Sequence, residues 1–168
     1  MPPTEIEGDE TALSSALEAA SSPRIIRVFE YWISLRGERQ FPAWADVRLI
    51  DLYDVAPYVA VLDAEETGGS EASFLYRYRF CGTSLVEARS SMRQSDPTGH
   101  ILTEIDWPFD PSPLFDTCEQ VVQSCKPAFL PAGAVDESAY NQHNRAFFPL
   151  GLDGRVQQIV VCVDAVGS

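Results

Sequence analysis

Phe74-Leu75-Tyr76-Arg77-Tyr78-Arg79-Phe80 decides the fold class. Phe74, Tyr76, Tyr78 and Phe80 alternate with Leu75, Arg77 and Arg79, the period of two that sends successive side chains to opposite faces of a strand. One face is aromatic and the other largely cationic. The aromatic face supports the core under the helices, with the tyrosine hydroxyls finding partners. Upstream, Tyr58-Val59-Ala60-Val61-Leu62 is a short apolar run that reads as a buried strand. The polar, Gly-rich stretch Glu65-Glu66-Thr67-Gly68-Gly69-Ser70-Glu71 joins the two as a hairpin with a long loop.

Downstream, Gly82-Thr83-Ser84 opens a short helix to about residue 89. Asp96-Pro97-Thr98-Gly99 is a turn, residues 101–105 make one helical turn, and Trp107-Pro108-Phe109-Asp110-Pro111-Ser112-Pro113 is a proline-rich connector. Leu114, Phe115, Cys118, Val121, Val122 and Cys125 then line one side of an amphipathic helix closed by Pro127. The last third reads as three strands, over residues 128–135, 141–150 and 156–165, the latter two joined by Gly151-Leu152-Asp153-Gly154.

At the other end, Ser22-Pro23 starts a helix, with Ser22 as cap, and Gly37 stops it. Ile25, Phe29, Trp32 and Ile33 form its apolar stripe. The stripe must bury against the outer face of its own sheet or against the same helix of a second copy. A homodimer through Ile25, Phe29, Trp32 and Ile33 is the expectation, because a wet stripe holding a tryptophan is costly. Asp51 caps a short helix to residue 55. The fold class is α+β: a five-stranded antiparallel sheet with helices packed on one face, plus an N-terminal amphipathic helix.

Composition sets the limits. The chain has 168 residues, 45% of them hydrophobic, enough for one domain with a real core. It carries 25 acidic and 12 basic residues, a net charge of −13, which repels phosphate backbones and anionic lipid; nucleic acid and membrane are excluded as partners. No apolar run is long enough to span a membrane, and the N-terminus is acidic, unlike a signal peptide, so a cytoplasmic protein is expected. Residues 1–22 read as an acidic, mostly disordered arm: residues 1–10 unstructured, residues 11–20 a weak helix. Residues 23–168 form the single domain.

The order of elements resembles the PAS domain: two strands, several short helices, one longer helix and a three-stranded meander. The sequence is most similar to the bacterial PAS family called PAS_5. The resemblance rests on Tyr31-Trp32-Ile33-Ser34-Leu35-Arg36-Gly37-Glu38-Arg39, Pro42-Ala43-Trp44-Ala45-Asp46, Tyr76-Arg77-Tyr78-Arg79-Phe80-Cys81-Gly82-Thr83 and Asp96-Pro97-Thr98-Gly99-His100-Ile101-Leu102, and spans residues 24–165. Trp44 stands where the family has a basic residue. The resemblance implies a sensory or interaction module in bacterial signalling rather than an enzyme. Such a module binds a small-molecule ligand in the hollow between sheet and helices, or pairs with an unknown protein partner. With the chain ending three residues after the last strand, a stand-alone PAS protein acting through non-covalent partners is expected.

The hollow is expected among Tyr76, Tyr78, Leu85, Trp107, Cys118, Val122 and Phe148. No cofactor, catalytic residue or metal ligand is assigned. The four cysteines form no C-x-x-C, and Cys118 and Cys125 read as core packing. The cysteine motif of light-sensing flavin domains is missing. His100 is the candidate for a haem-carrier alternative. A small cytosolic enzyme with an internal pocket is the other; sets built from His100, Cys118 and Asp116, or from Asp106, Asp110 and Asp116, have no support from spacing. Arg77 and Arg79 read as cross-strand partners of acidic residues rather than as an anion clamp.

Overall fold

The computed structural model describes residues 4–20, 22–68, 74–136 and 142–166. Its helices are α1 (Thr4–Ala19), α2 (Pro23–Arg36), α3 (Thr83–Ser91) and α4 (Ser112–Ser124). Its strands are β1 (Val59–Glu66), β2 (Phe74–Cys81), β3 (Ala128–Leu130), β4 (His143–Leu152) and β5 (Arg155–Ala165). The strands form one antiparallel sheet in the order β2-β1-β5-β4-β3. The α+β class is the one the strand alternation demands.

β1 and β2 pair as expected, from Glu66 opposite Phe74 to Ala60 opposite Cys81. Part of the connection between them, residues 69–73, lies outside the described residues. Gly82 ends β2 against the chain at Ala56 and Pro57. A Cβ there would stand 2.3 Å from the Ala56 carbonyl oxygen, so only glycine permits this approach. At the far end, Asp153 and Gly154 both take positive φ, 54° and 75°, the backbone that a two-residue hairpin between right-twisted strands requires.

Register and alternation sort the inward residues. Leu62, Ile159 and Pro149 share one face of the sheet with Tyr76, Tyr78, Phe147 and Arg145. Val61, Val160, Phe148, Cys162 and Asn144 share the other. α4 covers the first face: Phe115 meets the Tyr76 ring edge-on at 5.7 Å, and Leu114, Cys118 and Val121 are buried. α2 covers the second: Phe29 and Trp32 lie 5.9 and 6.1 Å from the Phe148 ring.

Several expectations change. The apolar stripe of α2 takes the intramolecular option. Ile25, Phe29 and Trp32 are buried in their own domain, and Ile33 packs at its margin. The Trp32 indole N–H donates to the Pro149 carbonyl at 2.8 Å. The stripe therefore gives no ground for a second copy. Ser22 also does not cap α2 with its hydroxyl. That oxygen accepts from the Asn144 amide at 2.8 Å, and the Asp164 carboxylate from β5 receives the Arg24 backbone N–H instead. The same carboxylate takes the Arg24 guanidinium at 2.8 Å, so the helix start is tied to the sheet through a charge that suits its dipole.

β3 is three residues long rather than eight, because Pro131 has no N–H to continue the ladder. α1 runs from Thr4, where composition leads to an unstructured stretch over residues 1–10. Leu17 is 0% exposed, Leu13 packs beside the core, and Glu10 pairs with Arg36 of α2. Leu13 and Leu17 belong to the weak helix expected over residues 11–20, whereas the Glu10 contact and the helix before it lie in the stretch that composition reads as unstructured. Residues 1–3 of the expected arm lie outside the described residues.

Candidate functional site

The site expected from the sequence lies between the first face of the sheet, α3, α4 and the connector holding Trp107. Tyr76 and Tyr78 project from β2 at alternate positions, both buried. The Tyr76 hydroxyl donates to Glu119 of α4 at 2.7 Å. Burial first, and that carboxylate second, push its ionisation far above the ordinary tyrosine range. Cys118 is fully enclosed beneath α4, where it packs in the core, and burial pushes its thiol up. Leu85, Val122 and Trp107 pack at the margin of the core, the Trp107 indole N–H donating to the Leu102 carbonyl at 2.8 Å.

Phe148 is not in this group. It projects from the opposite face and stacks under α2. Tyr76, Tyr78 and Cys118 thus lie on the first face with Trp107 linked to them through Arg89, and Phe148 belongs to the other face. A buried run from Asn144 to Gly151 conceals which face each residue of β4 takes.

Sequence reasoning missed the hollow's charged groups. Arg89 of α3 is 7% exposed; its Nε donates to the Ser95 carbonyl at 2.9 Å, and its guanidinium sits 5.2 Å from the Trp107 ring centre. Arg145 of β4 is equally buried and sits 5.5 Å from the Phe109 ring. The Trp107 and Phe109 rings lie 5.2 Å apart. Tyr78 lies in the field of both guanidiniums, although burial dominates and raises its ionisation. Cys81, at the end of β2, is pushed up to about 12, mainly by burial and then by Asp96. Arginine on a short helix gives no periodic signal, so nothing in the sequence marks Arg89 as internal.

The paper constellations do not assemble. His100 is exposed at its turn, where its carbonyl accepts the Tyr78 N–H at 3.0 Å. Asp116 is exposed while Cys118 is enclosed. Asp106 and Asp110 are exposed, and Asp110 accepts from the backbone and hydroxyl of Ser112 at the start of α4. Arg77 and Arg79 do pair across the strands, with Glu65 at 2.9 Å and Asp63 at 2.8 Å. Among the described residues, no group of three or more His, Cys, Asp or Glu is placed to hold a metal ion. No described helix is long and apolar enough to cross a membrane.

Open volumes lie elsewhere in the described structure, one of them along the outer side of α4 beside Asp116 and Glu119. Another, of ≈10 Å³, lies under α2 beside Trp32 and Phe148, room for about one water. A third, of ≈550 Å³, runs between the end of α4 and α1, with Leu13, Trp32, Gln120, Cys125 and Pro127 among its walls. No family model matches the chain, and no curated protein matches it either.

Proposed function

We propose that the chain is a PAS-like sensory module that regulates by binding a partner protein, with a small molecule in the hollow between sheet and α4 shifting its conformation. One observation carries this reading: two strands, a helical block, one longer helix and a three-stranded meander close into a single five-stranded sheet. That is the element order the resemblance names. The hollow adds support, since buried polar groups of β2, α3 and β4 meet beside aromatic walls there. The mechanism is population shift. A ligand that favours one packing of α3 and the Trp107 connector biases which surface the partner meets.

The test is recovery of the tagged chain from its own cells under native conditions, followed by intact mass spectrometry. The expected result is a stoichiometric protein partner, a bound small molecule of defined mass, or both. A bare chain would count against the reading. So would turnover that depends on one side chain of the hollow.

A further inference from the structure

Arg89 is a buried cation with no ion-pair partner among the described residues. Its Nη1 is enclosed and has no hydrogen-bond partner among the described residues. Asp96 acts on it only at longer range, because its carboxylate accepts from the Thr98 N–H and hydroxyl at 2.9 and 2.7 Å. Arg24 and Arg36, by contrast, are matched by Asp164 and Glu10. A buried charge is normally paired, since desolvating it alone is strongly unfavourable.

The surroundings say what would pair with it. The Tyr78 hydroxyl has no hydrogen-bond partner among the described residues and is not among the fully enclosed orphan atoms, so it keeps some access to solvent. Arg145 adds a second positive charge close to Tyr78. Trp107 and Phe109 supply adjoining aromatic walls. We propose that the hollow takes a small organic carboxylate with an apolar or aromatic body, its two oxygens on Arg89 Nη1 and the Tyr78 hydroxyl, its body against Trp107 and Phe109. Two open donors match the two oxygens of a carboxylate, and an apolar wall suits one negative charge better than the two of a phosphate. Trp107, Phe109 and Leu85 are half-buried, so the body of the ligand displaces rim side chains and leaves the sheet in place. The inference deepens the sensing reading and rests on it for the use made of the ligand; the ligand's chemistry rests on these residues.

The probes are phenylacetate and its uncharged counterpart phenylacetamide, added to the full chain and read by Tm and by amide chemical shifts. Phenylacetate at a hundredfold excess over its Kd should raise Tm by about 5–10 °C, with shifts centred on residues 78, 89 and 107. The amide should do much less. Arg89→Met should abolish the phenylacetate response while leaving the ligand-free Tm unchanged or raised, because it removes an uncompensated buried charge. Arg89→Lys, which keeps the charge, should retain a weakened response. Equal responses to acid and amide, an unchanged response in Arg89→Met, or no response to phenylacetate would overturn the proposal. A response to the amide alone, or an uncharged molecule bound to protein from cells, would leave the sensing reading standing without the carboxylate. A bare chain from cells that binds neither probe would end both.

Discussion

The two faces of the sheet are built by different rules. Under α2 the contacts are aromatic and aliphatic, and the polar groups at the ends are matched: Trp32 with Pro149, Ser22 with Asn144, Arg24 with Asp164. Under α3 and α4 the layer includes two tyrosines, two arginines and a cysteine thiol, with the Arg89 Nη1 left open. Among the described residues, Arg36 Nε and Gln158 Oε1 on the α2 side, and Gln94 Oε1 just after α3, also lack partners. Yet Arg36 has Glu10 for its charge, and Gln158 carries none. Unsatisfied charge is concentrated on one face. Because a buried polar group without a partner lowers stability, that face is where stability has been given up and where function is to be sought.

Phe148→Ala tests the stabilising half of this contrast. Phe148 is 0% exposed and packed between Phe29 and Trp32, so its loss should cost about 3–5 kcal/mol in denaturant unfolding. A cost near that of a surface change would mean that α2 is not a structural layer. Asp164→Asn comes next. It removes the charge that holds the Arg24 guanidinium at the start of α2. Because Arg24 keeps about a third of its side chain in water, it can rehydrate, and the cost should be about 1–3 kcal/mol. Loss of α2 protection in hydrogen exchange, with the sheet unaffected, would locate the effect.

A smaller pair of changes separates two neighbours on the other face. Tyr76→Phe deletes the hydroxyl that donates to Glu119, at a cost of about 1 kcal/mol for a partly exposed bond to a charged acceptor. Tyr78→Phe deletes a hydroxyl with no partner among the described residues, and should be neutral to within about 0.5 kcal/mol. If Tyr78→Phe were the costlier of the two, the open donor in the hollow would have to be reassigned.

How much of this could be read from the sequence follows from the physics of each signal. The period of two in β2 is strong because every second residue is aromatic, and it fixed both the strand and its buried side. Gly82, Gly37 and Asp153-Gly154 marked element ends through backbone demands that act locally. The face of Phe148 was not legible. β4 is buried on both sides, so polarity does not alternate along it, and only its register with β5 shows the side. Of the residues expected around the hollow, Tyr76, Tyr78 and Cys118 lie on the face under α4, whereas Phe148 lies on the face under α2 for that reason. Arg89 and Glu119 could not be found either, since a charged residue on a helix looks like surface until a distant aromatic or tyrosine is placed beside it. The destination of the Trp32 stripe was likewise a question of what lies opposite, which a helical period alone does not answer.

The smallest expected effect concerns a surface tie at the edge of the α2 layer. Asp46 accepts the Ala43 backbone N–H and the Arg39 guanidinium, both at 2.9 Å. The backbone bond first, and Arg39 second, hold its carboxyl below the usual range. A carboxyl that is more acidic in the folded state adds stability above its unfolded pKa, and that stability is lost as pH falls through the depressed folded value. The relevant window therefore lies below about pH 4. Asp46→Asn should lower Tm slightly at neutral pH and make the decline of Tm between pH 5 and pH 3 shallower than in the parent chain. Asp96→Asn, on the α3 side, should behave in the same sense, because Thr98 holds that carboxyl down in the same way. Unchanged slopes in both variants would mean that these exposed ties add nothing to either layer, leaving the difference between the faces entirely to their buried groups.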